Sequence, residues 1–126
     1  MNMEKKIILA IDDDAVQLKV FQNILHTAYN FNMANSASTA LHFLNTHKTD
    51  LILLDISMPN ISGFDFLHDI RKIPSYIAVP IIIVSGKTGH DYLTEAKKSS
   101  AFDVLSKPVE PNVLIGTIEK ALGTAV

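Results

Sequence analysis

Two kinds of apolar run alternate along this chain. Ile7–Ile11, Leu51–Leu54 and Ile81–Val84 are unbroken apolar stretches with no polar alternation. Such stretches suit strands buried on both faces, as in a parallel sheet covered by helices. Between them, apolar residues recur at helical spacing. Val16, Val20, Phe21, Ile24, Leu25 and Ala28 predict a first helix of three to four turns, opened by Asp14 with Gln17 three residues on, in the manner of a capping box. Ala40, Leu41 and Leu44 predict a second helix, capped by Ser36 or Ser38. Leu67 and Ile70 mark the inner side of a third, from about Phe64 to Arg71. The fourth, about Asp91 to Ser99, is poorly patterned, with only Leu93 and Ala96 as clear core positions. Pro111 suits the first position of the last helix, which carries Leu114, Ile115, Ile118 and Leu122 and ends at Gly123. Two weaker strands, Phe31–Ala34 and Phe102–Leu105, complete the pattern.

Strand and helix therefore alternate five times, which calls for right-handed crossovers and a parallel sheet with helices on both faces. The three most apolar strands belong in the middle and the polar second strand at an edge. The order 2-1-3-4-5 meets both demands. The expected architecture is α/β: a doubly wound five-stranded parallel sheet, a flavodoxin-like (βα)5 three-layer sandwich. It forms one domain over residues 1–126, with a core from about Lys6 to Leu122 and no internal repeat.

Composition narrows the function more than the fold. With 48% apolar and 19% charged residues among 126, the chain reads as a globular protein rather than a disordered one. A net charge of -2 without a basic cluster argues against direct nucleic-acid binding. The absence of cysteine excludes disulfides, thiolate zinc sites and thiol catalysis. Five apolar residues after Lys6 are too few for a signal-peptide core. The later run Ile77–Val84 contains Pro80 and falls far short of the roughly 18 residues that span a bilayer. A cytoplasmic location with no membrane contact is the expectation.

The candidate chemistry lies at the C-terminal ends of the strands, where open α/β sheets bind ligands. Strand 1 gives Asp12 and Asp13, strand 3 Asp55, strand 4 Ser85, and strand 5 Lys107. After Asp55, Pro59 and Gly63 interrupt regular structure and shape a loop. Three clustered carboxylates repel one another unless a cation joins them. A hard divalent cation such as Mg²⁺ takes one or two carboxylates, waters and a phosphate. Ser85 can hydrogen-bond an anionic oxygen and Lys107 can pair with it. The chemistry that fits is a metal-assisted carboxylate nucleophile that accepts a phosphoryl group.

The stretches Ile-Leu-Ala-Ile-Asp12-Asp13-Asp14, Leu-Leu-Asp55-Ile-Ser-Met-Pro59 with Gly63, Ile-Val-Ser85-Gly86 and Leu-Ser-Lys107-Pro108 together resemble the receiver domain of bacterial two-component response regulators, CheY-like, over about Lys6 to Leu122. The resemblance implies the same strand order and a set of roles. Asp55 is the phosphoacceptor, served by a phosphohistidine on a sensor histidine kinase or histidine phosphotransfer protein. Asp13 binds Mg²⁺ directly, Asp12 mostly through water, and Asp55 and the backbone carbonyl of Ser57 complete the protein ligands. Ser85 moves to hydrogen-bond the aspartyl phosphate, Lys107 pairs with it, and Pro108 follows a cis peptide bond. A downstream protein reads the face of helix 4, strand 5 and helix 5. Such a domain promotes only its own phosphorylation and dephosphorylation and is otherwise no enzyme.

A pseudo-receiver that docks partners without phosphorylation conflicts with the retention of all five site side chains. A haloacid-dehalogenase-type phosphohydrolase needs a second acid two residues after its nucleophile, where this chain has Ser57. Nucleotide-binding enzymes are disfavoured because neither GxGxxG nor a P-loop occurs. Asp14 reads as a helix cap, Gly63 as loop geometry, and the five histidines as surface or boundary residues. Phe21, Phe43, Phe64 and Phe66 read as core, and Lys97-Lys98 as a solvated helix face. Two positions depart from the family. Val104 stands where receivers carry an aromatic residue, and Ser57 stands where a bulkier side chain borders the path of attacking water.

Overall fold

The structure, a computed structural model, describes residues 4–58, 62–86 and 90–123, without the side chains of residues 90–93. Strands β1 (Ile7–Ile11), β2 (Asn30–Ala34), β3 (Leu51–Leu54), β4 (Ile81–Ser85) and β5 (Asp103–Ser106) alternate with helices α1 (Ala15–Leu25), α2 (Ala37–Thr46), α3 (Gly63–Arg71), α4 (His90–Lys98) and α5 (Pro111–Leu122). The strands form one sheet in the order β2-β1-β3-β4-β5, every neighbouring pair parallel. This is the expected flavodoxin-like sandwich, with the polar β2 at its edge.

The unbroken apolar runs have a direct structural cause. Successive side chains of a strand point to opposite faces, and both faces of this sheet are covered. Ile52 and Leu54 join one core with Leu44, Phe66, Ile70 and Ala96, beneath α2, α3 and α4. Leu51 and Leu53 join the other with Leu18, Phe21, Leu25, Leu114 and Ile118, beneath α1 and α5. A polar residue at any interior position of β3 would be buried without a ladder of water on either side. Among the described residues no helix is long and apolar enough to cross a membrane.

Most elements begin and end where the pattern places them, through the expected caps. Asp14 accepts from the backbone N–H of Val16, Ser36 from that of Thr39, and Gly123 closes α5 in the left-handed conformation at φ 70°. The inner stripe of α1 differs. Leu18, Phe21 and Leu25 face the core, while Val16 and Val20 are 73% and 43% exposed. Six apolar residues cover too wide an arc for one buried stripe. At 100° per residue, Leu18 lies in line with Phe21 and Leu25, and Val16 falls about 140° away from Phe21. The helix also stops at Leu25, leaving Ala28 outside it and exposed. Phe21 and Phe66 are buried as expected, whereas Phe43 and Phe64 pack only partly against the core. The Leu93 side chain and Pro59 lie outside the described residues.

Two polar anchors tie the helices together at the edge of the sheet opposite the strands' C-terminal ends. Tyr76 is buried, and its hydroxyl donates to the carbonyls of Leu44 and His47 at 2.7 and 2.9 Å, closing the open end of α2. Arg71, at the end of α3, donates to the carbonyls of Tyr76, Val79 and Ser100 and to the Ser100 hydroxyl. The α4–β5 corner is thereby fastened to α3.

Candidate functional site

The parallel ladder brings the strand ends into one crevice. The backbone N–H of Asp55 donates to the Ile11 carbonyl at 2.9 Å, which sets the end of β3 beside the end of β1. That of Lys107 donates to the Ser85 carbonyl at 2.9 Å, which does the same for β5 and β4. Asp12 and Asp55 are 1% and 5% exposed, so their carboxylates are drawn into the edge of the core. Asp13 points outward. One carboxylate oxygen from each of Asp12, Asp13 and Asp55 lies within 4.8 Å of the others.

Asp12 is held by hydrogen-bond donors on both oxygens, and Asp55 by a donor on one oxygen and an ion pair on the other. Lys107 Nζ lies 2.9 Å from Asp12 Oδ2 and 3.6 Å from Asp55 Oδ2. Asp12 Oδ1 accepts from the Asp14 N–H at 2.9 Å, and Asp55 Oδ1 from the Ser57 N–H at 3.0 Å. Beyond this, the Ser57 and Ser85 hydroxyl oxygens stand 3.3 Å apart. The peptide bond between Lys107 and Pro108 is cis, as the resemblance implies. The loop floor is set by Gly63, where an added Cβ would lie 2.4 Å from Ile56 Cα. Glycine is needed there for close approach of two backbones rather than for an unusual φ.

The electrostatics follow from burial. Loss of water pushes the Asp12 carboxyl above its ordinary value, and the nearby Asp55 adds to this. The hydrogen bonds from Lys107 and the Asp14 N–H offset only part of the rise. Burial by itself lowers the Lys107 ammonium, but the hydrogen bond and charge of Asp12, followed by the charges of Asp55 and Asp14, hold it above its usual value. One ammonium is thus shared among three carboxylates, and the site carries excess negative charge.

That donor set fits a hard divalent cation. Oxygens around an ion bound at about 2.1 Å lie up to roughly 4.2 Å apart, and a bridging water spans somewhat more. The separations of Asp12, Asp13 and Asp55 fall at this scale, and all the donors are oxygen. An acidic triad of this kind is typical of the Mg²⁺ sites of receivers.

The sequence expectations for Asp12, Asp13, Asp55 and Lys107 all converge here, with Ser57 and Ser85 alongside. Asp14 is the cap of α1, and His26, His42, His47 and His68 are exposed. Val104 is half-buried, pairs with Ile83 and packs on the core beneath α3 and α4. Phe102 precedes β5 and is 48% exposed, so it does not supply the missing ring. The Ser57–Ser85 hydroxyl contact has no signal in the residue pattern, because it depends on how the turn after β3 folds back toward β4.

A five-stranded doubly wound sheet that gathers an acidic triad and a lysine at its C-terminal edge is the architecture of a signalling receiver. The chain belongs to the response regulator receiver domain family, whose description matches residues 8–119. Receiver domains interact with histidine kinases and are not conventional enzymes. Among solved structures it is similar to chemotaxis protein CheY4 of Vibrio cholerae, with 28% identity, a TM-score of 0.87, and coverage of 94% of this chain and 99% of that one. It is equally close, at a TM-score of 0.87 and 26% identity, to a CheY-like receiver from Methanospirillum hungatei JF-1, covering 95% of each chain. Among curated proteins it is 34% identical to 3',5'-cyclic-nucleotide phosphodiesterase regA of Dictyostelium discoideum and to transcriptional regulatory protein ZraR of Escherichia coli, covering 91% of this chain in each case. It spans only 15% and 26% of the length of those two proteins.

Proposed function

We propose that Asp55 is the phosphoacceptor of this receiver, and that the donor is a phosphohistidine on a sensor histidine kinase or histidine phosphotransfer protein. In the transfer, an Asp55 carboxylate oxygen forms a P–O bond as the phosphohistidine N–P bond breaks, and the freed imidazole nitrogen takes up a proton. The observation that carries this reading is the convergence of Asp12, Asp13 and Asp55 within 4.8 Å, with Lys107 reaching both Asp12 and Asp55.

Asp13, Asp12 through water, Asp55 and the Ser57 carbonyl would hold Mg²⁺. The bound ion supplies positive charge against the oxygens of the transferring phosphoryl group. Asp55 is oriented by the Ser57 N–H and by Lys107. Once the phosphoryl group is in place, Lys107 exchanges part of its contact with Asp12 for a phosphoryl oxygen, and Ser85 turns its hydroxyl to a second one. The altered positions of Ser85 and Lys107 at the ends of β4 and β5 are felt at α4, β5 and α5, the face offered to a downstream protein. Val104, with a stiff χ1 and no ring to swing, places more of that response in α4 than in β5.

The donor class is tested with phosphoramidate, whose P–N bond has the reactivity of a phosphohistidine. With Mg²⁺ present, the wild-type chain is expected to gain one phosphoryl group, lost in mild base. Removal of Mg²⁺ by chelation is expected to abolish the gain. A base-stable adduct, or labelling indifferent to Mg²⁺, would contradict the proposal.

A further inference from the structure

The receiver reading uses the backbone of Ser57, its carbonyl toward the metal and its N–H toward Asp55, and leaves its contact with Ser85 unused. Two of its polar groups are engaged with two different members of the site. Its N–H donates to Asp55 Oδ1 at 3.0 Å, and its hydroxyl lies 3.3 Å from the Ser85 hydroxyl. Ser57 therefore bridges the acceptor carboxylate to the serine at the end of β4. Resting on the phosphoacceptor reading, we propose that the Ser57 hydroxyl is a positioning residue that aims Ser85 at the phosphoryl group on Asp55.

Hydroxyl chemistry and burial together support this. Each serine hydroxyl has one proton to give and two lone pairs to receive. When Ser57 donates to Ser85, Ser85 is an acceptor on that side and a donor toward a phosphoryl oxygen. The two bonds run in one direction, and each polarises the other. With the direction reversed, Ser85 spends its proton on Ser57. A phosphoryl group, which offers only acceptors, selects the first arrangement. The two serines also differ in freedom. Ser85 is 1% exposed and pairs with Ser106 in the sheet, so its backbone is fixed. Ser57 sits exposed in the turn after β3, able to adjust without disturbing the core. An exposed hydroxyl is thus placed against a buried one whose backbone the sheet holds.

The test is a double-mutant cycle read by beryllofluoride, a phosphoryl mimic, titrated with Mg²⁺ into wild type, Ser57→Ala, Ser85→Ala and the double variant, and followed by amide NMR shifts. Ser57→Ala is expected to weaken beryllofluoride about fivefold, the factor of one ordinary hydrogen bond. In the Ser85→Ala background the same change is expected to cost less than about twofold, since Ser57 would have nothing left to aim. Ser57→Thr, which keeps the hydroxyl, is expected to restore binding. An undiminished Ser57 effect without Ser85, as expected if the residue acted on the attacking water, would overturn the proposal, as would no effect in either background. If wild type itself failed to bind, the receiver reading and this proposal would fall together. If wild type binds and the coupling is absent, the proposal alone is lost.

Discussion

Replacing Gly63 by alanine is expected to damage the site from behind. The new methyl carbon would stand 2.4 Å from Ile56 Cα, 2.7 Å from its carbonyl oxygen and 2.8 Å from its Cδ1. Carbon atoms pack at about 3.5–4.0 Å, so Ile56 or the start of α3 must retreat by roughly 1 Å. Two of the three obstacles are backbone, which a side-chain rotation does not relieve. Overpacking of this kind costs about 1–3 kcal/mol, and a site obstructed by backbone belongs at the upper end. Against this, alanine recovers about 0.4–1 kcal/mol by restricting the unfolded chain. The net loss is about 2 kcal/mol, or a fall in Tm on the order of 8 °C for a domain of this size. Ile56 lies between Asp55 and Ser57, so the same displacement stretches the Ser57–Asp55 hydrogen bond and slows labelling of Asp55. Thermal melts by circular dichroism, with labelling rates measured well below both midpoints, check both effects. Gly116→Ala is the control, because a Cβ there meets nothing within 4 Å. In the interior of α5 it is expected to stabilise by about 0.5–1 kcal/mol. A Gly63→Ala protein that melts within about 2 °C of wild type would refute the packing argument.

Three further outcomes follow from the same contacts. Tyr76→Phe leaves the Leu44 and His47 carbonyls without their donor and is expected to lower stability by about 1–3 kcal/mol in urea melts; a loss below about 0.5 kcal/mol would show that water replaces the hydroxyl. Mg²⁺ at about 100 times its Kd should stabilise the wild type by about 2.7 kcal/mol if the unfolded chain does not bind. Asp13→Asn should relieve the repulsion among the carboxylates and abolish that shift, and an unchanged shift would place the ion elsewhere. In metal-free buffer, the raised Asp12 carboxyl means that the folded state holds its proton more tightly than the unfolded chain does. Relative to Asp12→Asn, the wild type should therefore gain stability as the pH falls from neutral toward 4 and lose it again as the pH rises. A gap that is flat with pH, or moves the other way, would contradict the burial argument.

The sheet was legible because its central strands are buried on both faces, which leaves no room for polar residues in Leu51–Leu54 or Ile81–Ile83. The site was legible because its acids and lysine each follow such a strand, so that the ends of the sheet collect them whatever the helices do. The inward side of α1 was less so. Val16 and Val20 are apolar yet exposed, and nothing in the residue pattern separates them from Leu18 before the helix is docked. Tyr76 and Arg71 were missed for another reason. Their partners lie 29 or more residues away in several cases, and long-range polar contacts leave no periodicity. The reason for Gly63 was visible only in part, because its close approach to Ile56 depends on the turn between β3 and α3.

The central claim, that Asp55 takes the phosphoryl group, is tested most directly by locating the adduct. The chain is treated with acetyl phosphate and Mg²⁺, reduced with borohydride to convert an aspartyl phosphate to homoserine, and mapped by peptide mass spectrometry. Homoserine is expected at Asp55 alone, and Asp55→Asn should give no product. Conversion at Asp12 or Asp13, or a phosphoryl group that persists on serine or histidine in Asp55→Asn, would contradict the account.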